Sequence, residues 1–410
     1  MHRQHPFHRL FTTLLIGTLL SLPGAIRAQH SNSKINAATI LTGADQMSSY
    51  LPLLKGANIA VFANQTAMVG KTHLVDTLLK AGIHISKIFS PEHGFRGDAD
   101  AGEHVGSSTD PATGIPIVSL YGSKRKPSAE DLAGVDIMLF DIQDVGVRFY
   151  TYISSLQEYI ESAVANHRPL IILDRPNPNG SYVDGPVLDK RFRSFVGMQP
   201  IPIVYGMTLG EYARMLVGQQ WLDSTANADL KDFHLTIIPC RNYTHHSRYV
   251  LPVKPSPNLP NAQAVALYPS LCLFEGTVVS LGRGTDKPFQ QWGNPSFPKD
   301  LYHFTPVSLP GAKNPPLLNQ TCYGYDLSRI DVAKATGNRF SLQWLIKAYE
   351  LCPDKDHFFL KGNFFNRLAG NDVLQQQLKD GRTEEEIRKS WEPELSRFRD
   401  IRKKYLLYAE

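Results

Sequence analysis

Between about residues 51 and 239, short apolar runs alternate with stretches whose apolar residues recur at helical spacing. This alternation constrains the fold more than any other feature of the 410-residue chain. The runs lie at 57–63 (ANIAVFA), 85–89 (ISKIF), 115–120 (IPIVSL), 135–141 (VDIMLFD), 170–174 (LIILD) and 235–239 (LTIIP). Helical spacing falls at 72–81, 128–132, 152–166 and 208–220. Near-continuous apolar strands separated by helices predict a parallel sheet covered on both faces. The fold class is therefore α/β, a Rossmann-like open sheet. In such a sheet ligands sit outside the carboxyl ends of the strands. The first strand ends in Asn64-Gln65-Thr66-Ala67 rather than G-x-G-x-x-G, and no G-x-x-x-x-G-K-[ST] occurs, so nucleotide phosphates lack their bare-amide cradle.

A proline-dense segment, 251–260 (LPVKPSPNLP), marks a seam. Residues 40–255 are expected to form the Rossmann-like N-terminal domain. Residues 262–410 are expected to form a smaller α+β domain that completes an active cleft, with strands near 301–308 and 321–327 and helices at 341–351, 371–379 and 383–405.

Residues 1–28 read as a secretory signal. Arg3, His8 and Arg9 make a positive start, 10–22 (LFTTLLIGTLLSL) is apolar, Pro23 and Gly24 break it, and Ala28 supplies the small residue before Gln29. The expected location is exported, periplasmic or secreted, with no stable membrane anchor after cleavage, because no later window supplies about 20 apolar residues. Losing Arg3, Arg9 and Arg27 takes the formal charge from +5 to +2, and no basic run remains to suggest nucleic acid. Cys240, Cys272, Cys322 and Cys352 are compatible either with disulfides or with buried free thiols. No His/Cys/Asp spacing suits a metal, and no cofactor is expected.

Polar residues gather after the predicted strands. The second is followed by SPEHGFRG (90–97), the third by Tyr121-Gly122, the fourth by DIQDVGVRFY (141–150) and the fifth by DRPNPNG (174–180). Glu92 directly follows a buried run, between Pro91 and His93-Gly94. A carboxyl in a partly apolar pocket there can act as a general acid, whereas an ion pair with Arg96 or Arg148 is the structural alternative. Asp141, Gln143 and Asp144 share one loop and suit sugar hydroxyls, acid–base assistance or a cation. Tyr150, Asp174, Arg175 and Asn177 complete that edge. Farther on, Asn258, Glu275, Thr277, Arg283 and Thr285 stand out, Arg283 between two glycines that permit close backbone approach.

SPEHGFRG, DPATGIPIVSLYG (110–122), DIQDVGVRFYTY (141–152), LDRPNPNG (173–180), SPNLP (256–260), EGTVVSLGRGT (275–285) and KYLLY (404–408) occur in this order. The chain thereby resembles the exo-β-N-acetylmuramidase (NamZ-type) family of peptidoglycan hexosaminidases, glycoside hydrolase family 171, from about residue 40 to the end. The resemblance implies an exo-acting glycosidase that releases N-acetylmuramic acid from the non-reducing end of peptidoglycan fragments. It places the family's proposed catalytic glutamate at Glu92. A second carboxylate is normally needed in glycoside hydrolysis. Asp144 and Glu275 are the candidates, and assistance by the substrate acetamido group is the other route. Muramic acid differs from N-acetylglucosamine by a lactyl carboxylate, so Arg96, Arg148, Arg175 and Arg283 are candidate readers of that group. The rival class is a non-catalytic periplasmic amino-sugar-binding protein, which would bind without turnover.

Overall fold

A computed structural model describes residues 39–92, 94–96 and 106–410; the expected signal segment and His93 lie outside them. In chain order the strands are β1 (Asn58–Ala63), β2 (Met68–Val69), β3 (Thr72–His73), β4 (His84–Ser90), β5 (Ser108–Thr109), β6 (Pro116–Ser119), β7 (Ile137–Asp141), β8 (Leu170–Leu173) and β9 (Leu235–Ile238). After them come β10 (Gln291–Asn294), β11 (Tyr302–Phe304) and β12 (Cys322–Asp326). The main sheet runs β5-β6-β4-β1-β7-β8-β9 and is parallel apart from the short edge strand β5. Starting from β1, the chain moves outward through β4 and β6, then returns to lay β7 on the other side of β1. That reversal is the switch point at which open α/β sheets usually bind ligands.

The first helices are α1 (Met47–Leu54), α2 (Leu74–Lys80), α3 (Tyr152–Ala165), α4 (Leu209–Gly218) and α5 (Ser224–Asp229). The later ones are α6 (Ala262–Leu271), α7 (Val332–Thr336), α8 (Gln343–Leu351), α9 (Phe364–Ala369), α10 (Val373–Lys379) and α11 (Glu384–Arg402). Alternate residues of β1 serve opposite faces, as the strand period of two requires. Ile59, Val61 and Ala63 pack toward the α1–α2 side, and Ala60 and Phe62 toward α3. The α3 side continues without interruption through Trp292, Trp344, Phe365 and Phe398, so the second half shares the core of the first. Residues 39–410 form one compact unit. Its second, antiparallel sheet is β10-β12-β11.

The helix expected at 128–132 is instead a closed turn. Ser128 donates its N–H and hydroxyl to Asp131 (2.7 and 2.9 Å), and Gly134, at φ +74°, turns the chain into β7. One turn between Pro127 and a left-handed glycine cannot propagate a helix. The strand expected at 301–308 stops at Phe304, two residues before Pro306. All four cysteines are buried free thiols.

Candidate functional site

A cavity of about 1170 Å³ opens beyond the carboxyl ends of β4 and β6. That is ample for a saccharide, since small-molecule sites usually occupy about 300–1,000 Å³. Its floor comes from the first half of the chain: Glu92 two residues past β4, Tyr121 and Arg125 past β6, and 149–152 at the entry to α3. Its far wall comes from Asn258 in the proline-dense seam and, in the second half, from Tyr268, Glu275, Thr277, Arg283, Phe289 and the 311–317 loop. Aromatic faces with a few convergent polar groups suit a sugar, whose C–H faces are apolar and whose hydroxyls are not.

Glu92 is half-buried on this wall. Thr151 donates its hydroxyl to Oε2 across 3.4 Å. The Tyr121 phenol shares this wall and is pushed up by burial first and by the Glu92 charge second. Tyr150 and Tyr152 behind it meet edge to face at 4.7 Å, and both hydroxyls point at the Pro255 carbonyl (3.0 and 3.5 Å). Gln65 reaches the Lys254 and Pro255 carbonyls at 3.2 Å. The proline-dense segment is thus pinned to the sheet edge. On the far wall Arg283 grips Oε1 of Glu275 through Nε and one terminal nitrogen (3.0 and 2.6 Å), stacked 4.9 Å over Phe289. Asn258 donates to the Gly311 carbonyl (2.9 Å), tying down the loop that roofs the cavity. Thr277 lines the wall with its hydroxyl turned to the Phe274 carbonyl (2.8 Å).

The switch-point crevice beside β1 and β7 is filled by the protein's own polar groups, which displaces the cavity toward β4 and β6. Asn64 donates to the Tyr152 hydroxyl (2.8 Å), Gln143 N–H to Thr66 (3.0 Å), and Gln143 Nε2 to the Asp144 and Pro176 carbonyls (both 2.8 Å). Asp141 forms a two-pronged pair with Arg175 (2.5 and 2.7 Å), with both side chains buried. Asp174 accepts from Thr208 (2.7 Å), Gly210 N–H (2.8 Å) and Tyr408 (2.5 Å). Burial pushes it up to about 6 against those three bonds. Asn177 donates to the Met207 carbonyl (2.8 Å) and accepts from Asn179 N–H (2.8 Å).

Asp144, expected as a possible second carboxylate, does not line the cavity. It is buried against Tyr205 and Gly146 N–H (both 2.6 Å), and burial pushes it up to about 7. Among the described residues, Glu92 and Glu275 are the acids on the cavity wall.

Three of the four expected arginines also lie elsewhere. Arg96 pairs with Asp110 at 2.5 Å. Arg175 is held by Asp141. Arg148 is wholly buried and donates to the carbonyls of Pro186, Ile201, Leu368 and Ala369 (2.8–2.9 Å). Burial without a countercharge pulls its guanidinium down to about 9. Only Arg283 of the four reaches the cavity. Thr285 does not; its hydroxyl donates to the Gly282 carbonyl (2.6 Å) and accepts from Gln291 (2.7 Å).

The sequence reading missed Arg125, Phe195, Tyr268, Phe289 and the roof loop. Arg125 carried a usable signal, since it lies three residues past Tyr121-Gly122 in a loop that follows a strand. The roof loop is a second proline-bearing stretch (GAKNPPL) whose distance from the first half hid it.

The molecule's kinship agrees with this layout. The signature of the exo-β-N-acetylmuramidase NamZ N-terminal domain matches residues 59–263, and that of the NamZ C-terminal domain matches 266–408. The peptidoglycan β-N-acetylmuramidase NamZ of Bacillus subtilis (strain 168) is 35% identical, aligned over 99% of this chain and 100% of its own length. Two DUF1343 family proteins from Bacteroides fragilis NCTC 9343 have the same fold. One is 47% identical with a TM-score of 0.84, over 91% of this chain and 100% of the other. The second is 27% identical with a TM-score of 0.76, over 90% and 99%. With both domain signatures present in order and a full-length relative at this identity, the chain belongs to the NamZ family of exo-β-N-acetylmuramidases.

Proposed function

We propose that the protein is an exo-acting glycoside hydrolase that removes N-acetylmuramic acid from the non-reducing end of peptidoglycan fragments, with Glu92 as its general acid. The observation that carries this is the setting of Glu92: a carboxylate just past a buried strand, on the wall of a sugar-sized cavity, hydrogen-bonded by Thr151 and close enough to Tyr121 for its charge to act on that phenol. Proton delivery to the leaving oxygen needs such a positioned carboxyl. Glu275, across the cavity and held by Arg283, is the candidate second carboxylate. Its separation from Glu92 when sugar is bound would decide between retention and inversion.

A chromogenic β-N-acetylmuraminide, assayed beside the matching glucosaminide, tests the reading. The wild type should turn over the muraminide. Glu92→Gln should keep the fold and substrate binding while turnover falls roughly 10²-fold or more. Near-native turnover in that variant removes Glu92 from the role, and tight binding without any turnover by the wild type replaces the enzyme with a binding protein.

The same reading places the protein outside the cytoplasm, periplasmic or secreted, on the strength of its positively charged start, apolar run and Ala28. The described residues include no helix long and apolar enough to cross a membrane. Intact mass of the exported chain should correspond to a start at or near Gln29; retention of 1–28 on the mature protein would refute this route.

A further inference from the structure

The loop after β6 carries three consecutive cations, and the structure treats one of them differently. Lys124 pairs with Asp131 (2.5 Å), and Lys126 pairs with Asp223 and Glu161 (3.0 and 3.4 Å). Arg125, between them, has no carboxylate within ion-pair distance among the described residues. Its only hydrogen bond there is a long one from Nε to the Gly122 carbonyl (3.4 Å). Its guanidinium lies 4.3 Å over the Phe195 ring, and both residues line the cavity. Phe195 is itself fastened, since Ser154 of α3 donates to its carbonyl (2.7 Å). A guanidinium stacked on a ring keeps its in-plane N–H fork free for a planar anion while losing little freedom on binding.

Position matters as much as freedom. Tyr121, which lines the cavity with Glu92 and feels its charge, also feels the charge of Arg125, which opposes the upward push of burial and of Glu92 on its phenol. Arg125 thus shares the Glu92 side of the cavity. Glu158 on α3 feels the same charge through space, without an ion pair. Arg283, the other guanidinium on the wall, is already engaged by Glu275.

A sugar whose glycosidic oxygen meets Glu92 must lay its own ring on that side. We infer that Arg125, seated on Phe195, is the residue that reads the lactyl carboxylate of the muramic acid ring and sets the preference over N-acetylglucosamine. The inference rests on the proposed muramidase activity and deepens it: specificity comes from an arginine that no carboxylate of the described residues neutralises, because an arginine already neutralised has little left to offer a second anion.

The test uses the chromogenic muraminide, its lactyl methyl ester and the glucosaminide, with Arg125→Ala, Arg125→Lys and Arg283→Ala. For the wild type, esterification should lower kcat/KM, because it removes the charge that the fork reads. Arg125→Ala should lower kcat/KM on the free acid by roughly 10- to 100-fold, chiefly through KM. It should no longer distinguish acid from ester, and Arg125→Lys should recover part of the loss. Arg283→Ala should keep the acid–ester distinction, whatever its overall activity. If Arg125→Ala discriminates acid from ester as well as the wild type does, or if Arg283→Ala alone abolishes that discrimination, the assignment to Arg125 falls and the muramidase stands. If the wild type hydrolyses none of the three, the function itself falls, and this inference with it.

Discussion

Asp144 is a buried carboxylate with no cation beside it among the described residues: Tyr205 and Gly146 N–H reach one oxygen, and the other has no partner there. Burial outweighs those bonds and lifts it to about 7, above the ~3.9 of an unfolded Asp. A group raised in this way favours the folded state when protonated. Its contribution is complete below about pH 4 and is lost as pH rises through 7. Between pH 5 and 8 the wild type should therefore lose about 2.5 kcal/mol through this residue. Asp144→Asn, which can still accept from Tyr205 and Gly146, should flatten the pH dependence of the urea midpoint. An unchanged slope would mean that Asp144 stays ionised in the fold throughout. Arg148 is the opposite case, a buried cation with no acid beside it among the described residues; four carbonyls hold its terminal nitrogens and its Nε has no partner there. Both residues sit in a loop that would look like an active site to anyone counting charges, and both have structural duties.

At the level of elements, the strands were legible because burial on both faces leaves an unmistakable apolar run. The runs at 57–63, 85–89 and 170–174 match β1, β4 and β8 to within a residue or so. The position of Glu92 was legible for a related reason, since the end of a buried strand fixes where the next residues must emerge. The duties of the following loops were not. Whether Asp174 meets a sugar or Tyr408 depends on a residue 234 positions away, and whether the Gln143 side chain faces solvent depends on the Pro176 carbonyl. Local composition cannot carry that information. An arginine's partner is equally hidden when it is a backbone carbonyl, as for Arg148, because every residue type supplies one. Arg125 went unread because its loop looked like an ordinary solvated stretch; the feature that singles it out, Phe195 beneath it, lies seventy residues on.

Across the whole molecule, the two family segments are bound to each other by buried polar contacts as well as by a shared apolar core. Arg148 reaches from the first segment to the Leu368 and Ala369 carbonyls, and both carboxylate oxygens of Asp184 accept from one terminal nitrogen of Arg388, with Phe340 N–H donating to one of them. In return, Arg402 reaches back to the Gly206 carbonyl, Tyr408 to Asp174, and the Leu407 and Tyr408 N–H groups to Glu211. Residues 39–263 alone would lose the hydrogen bonds from 264–410 that hold Arg148, Asp174, Asp184 and Glu211, at ~1.5–3 kcal/mol apiece because charge is involved. They would also expose the α3 face of the core. That penalty rivals the whole stability of a typical domain, ~5–15 kcal/mol. The segment should therefore lack a cooperative urea transition when produced alone and should bind a hydrophobic dye such as ANS. Supplied with 264–410, it should regain a single transition and the cavity, and with it activity on the muraminide, because the floor and the far wall come from different segments. A sharp, independent transition for 39–263 would show that the polar bridges join two finished domains rather than completing one fold.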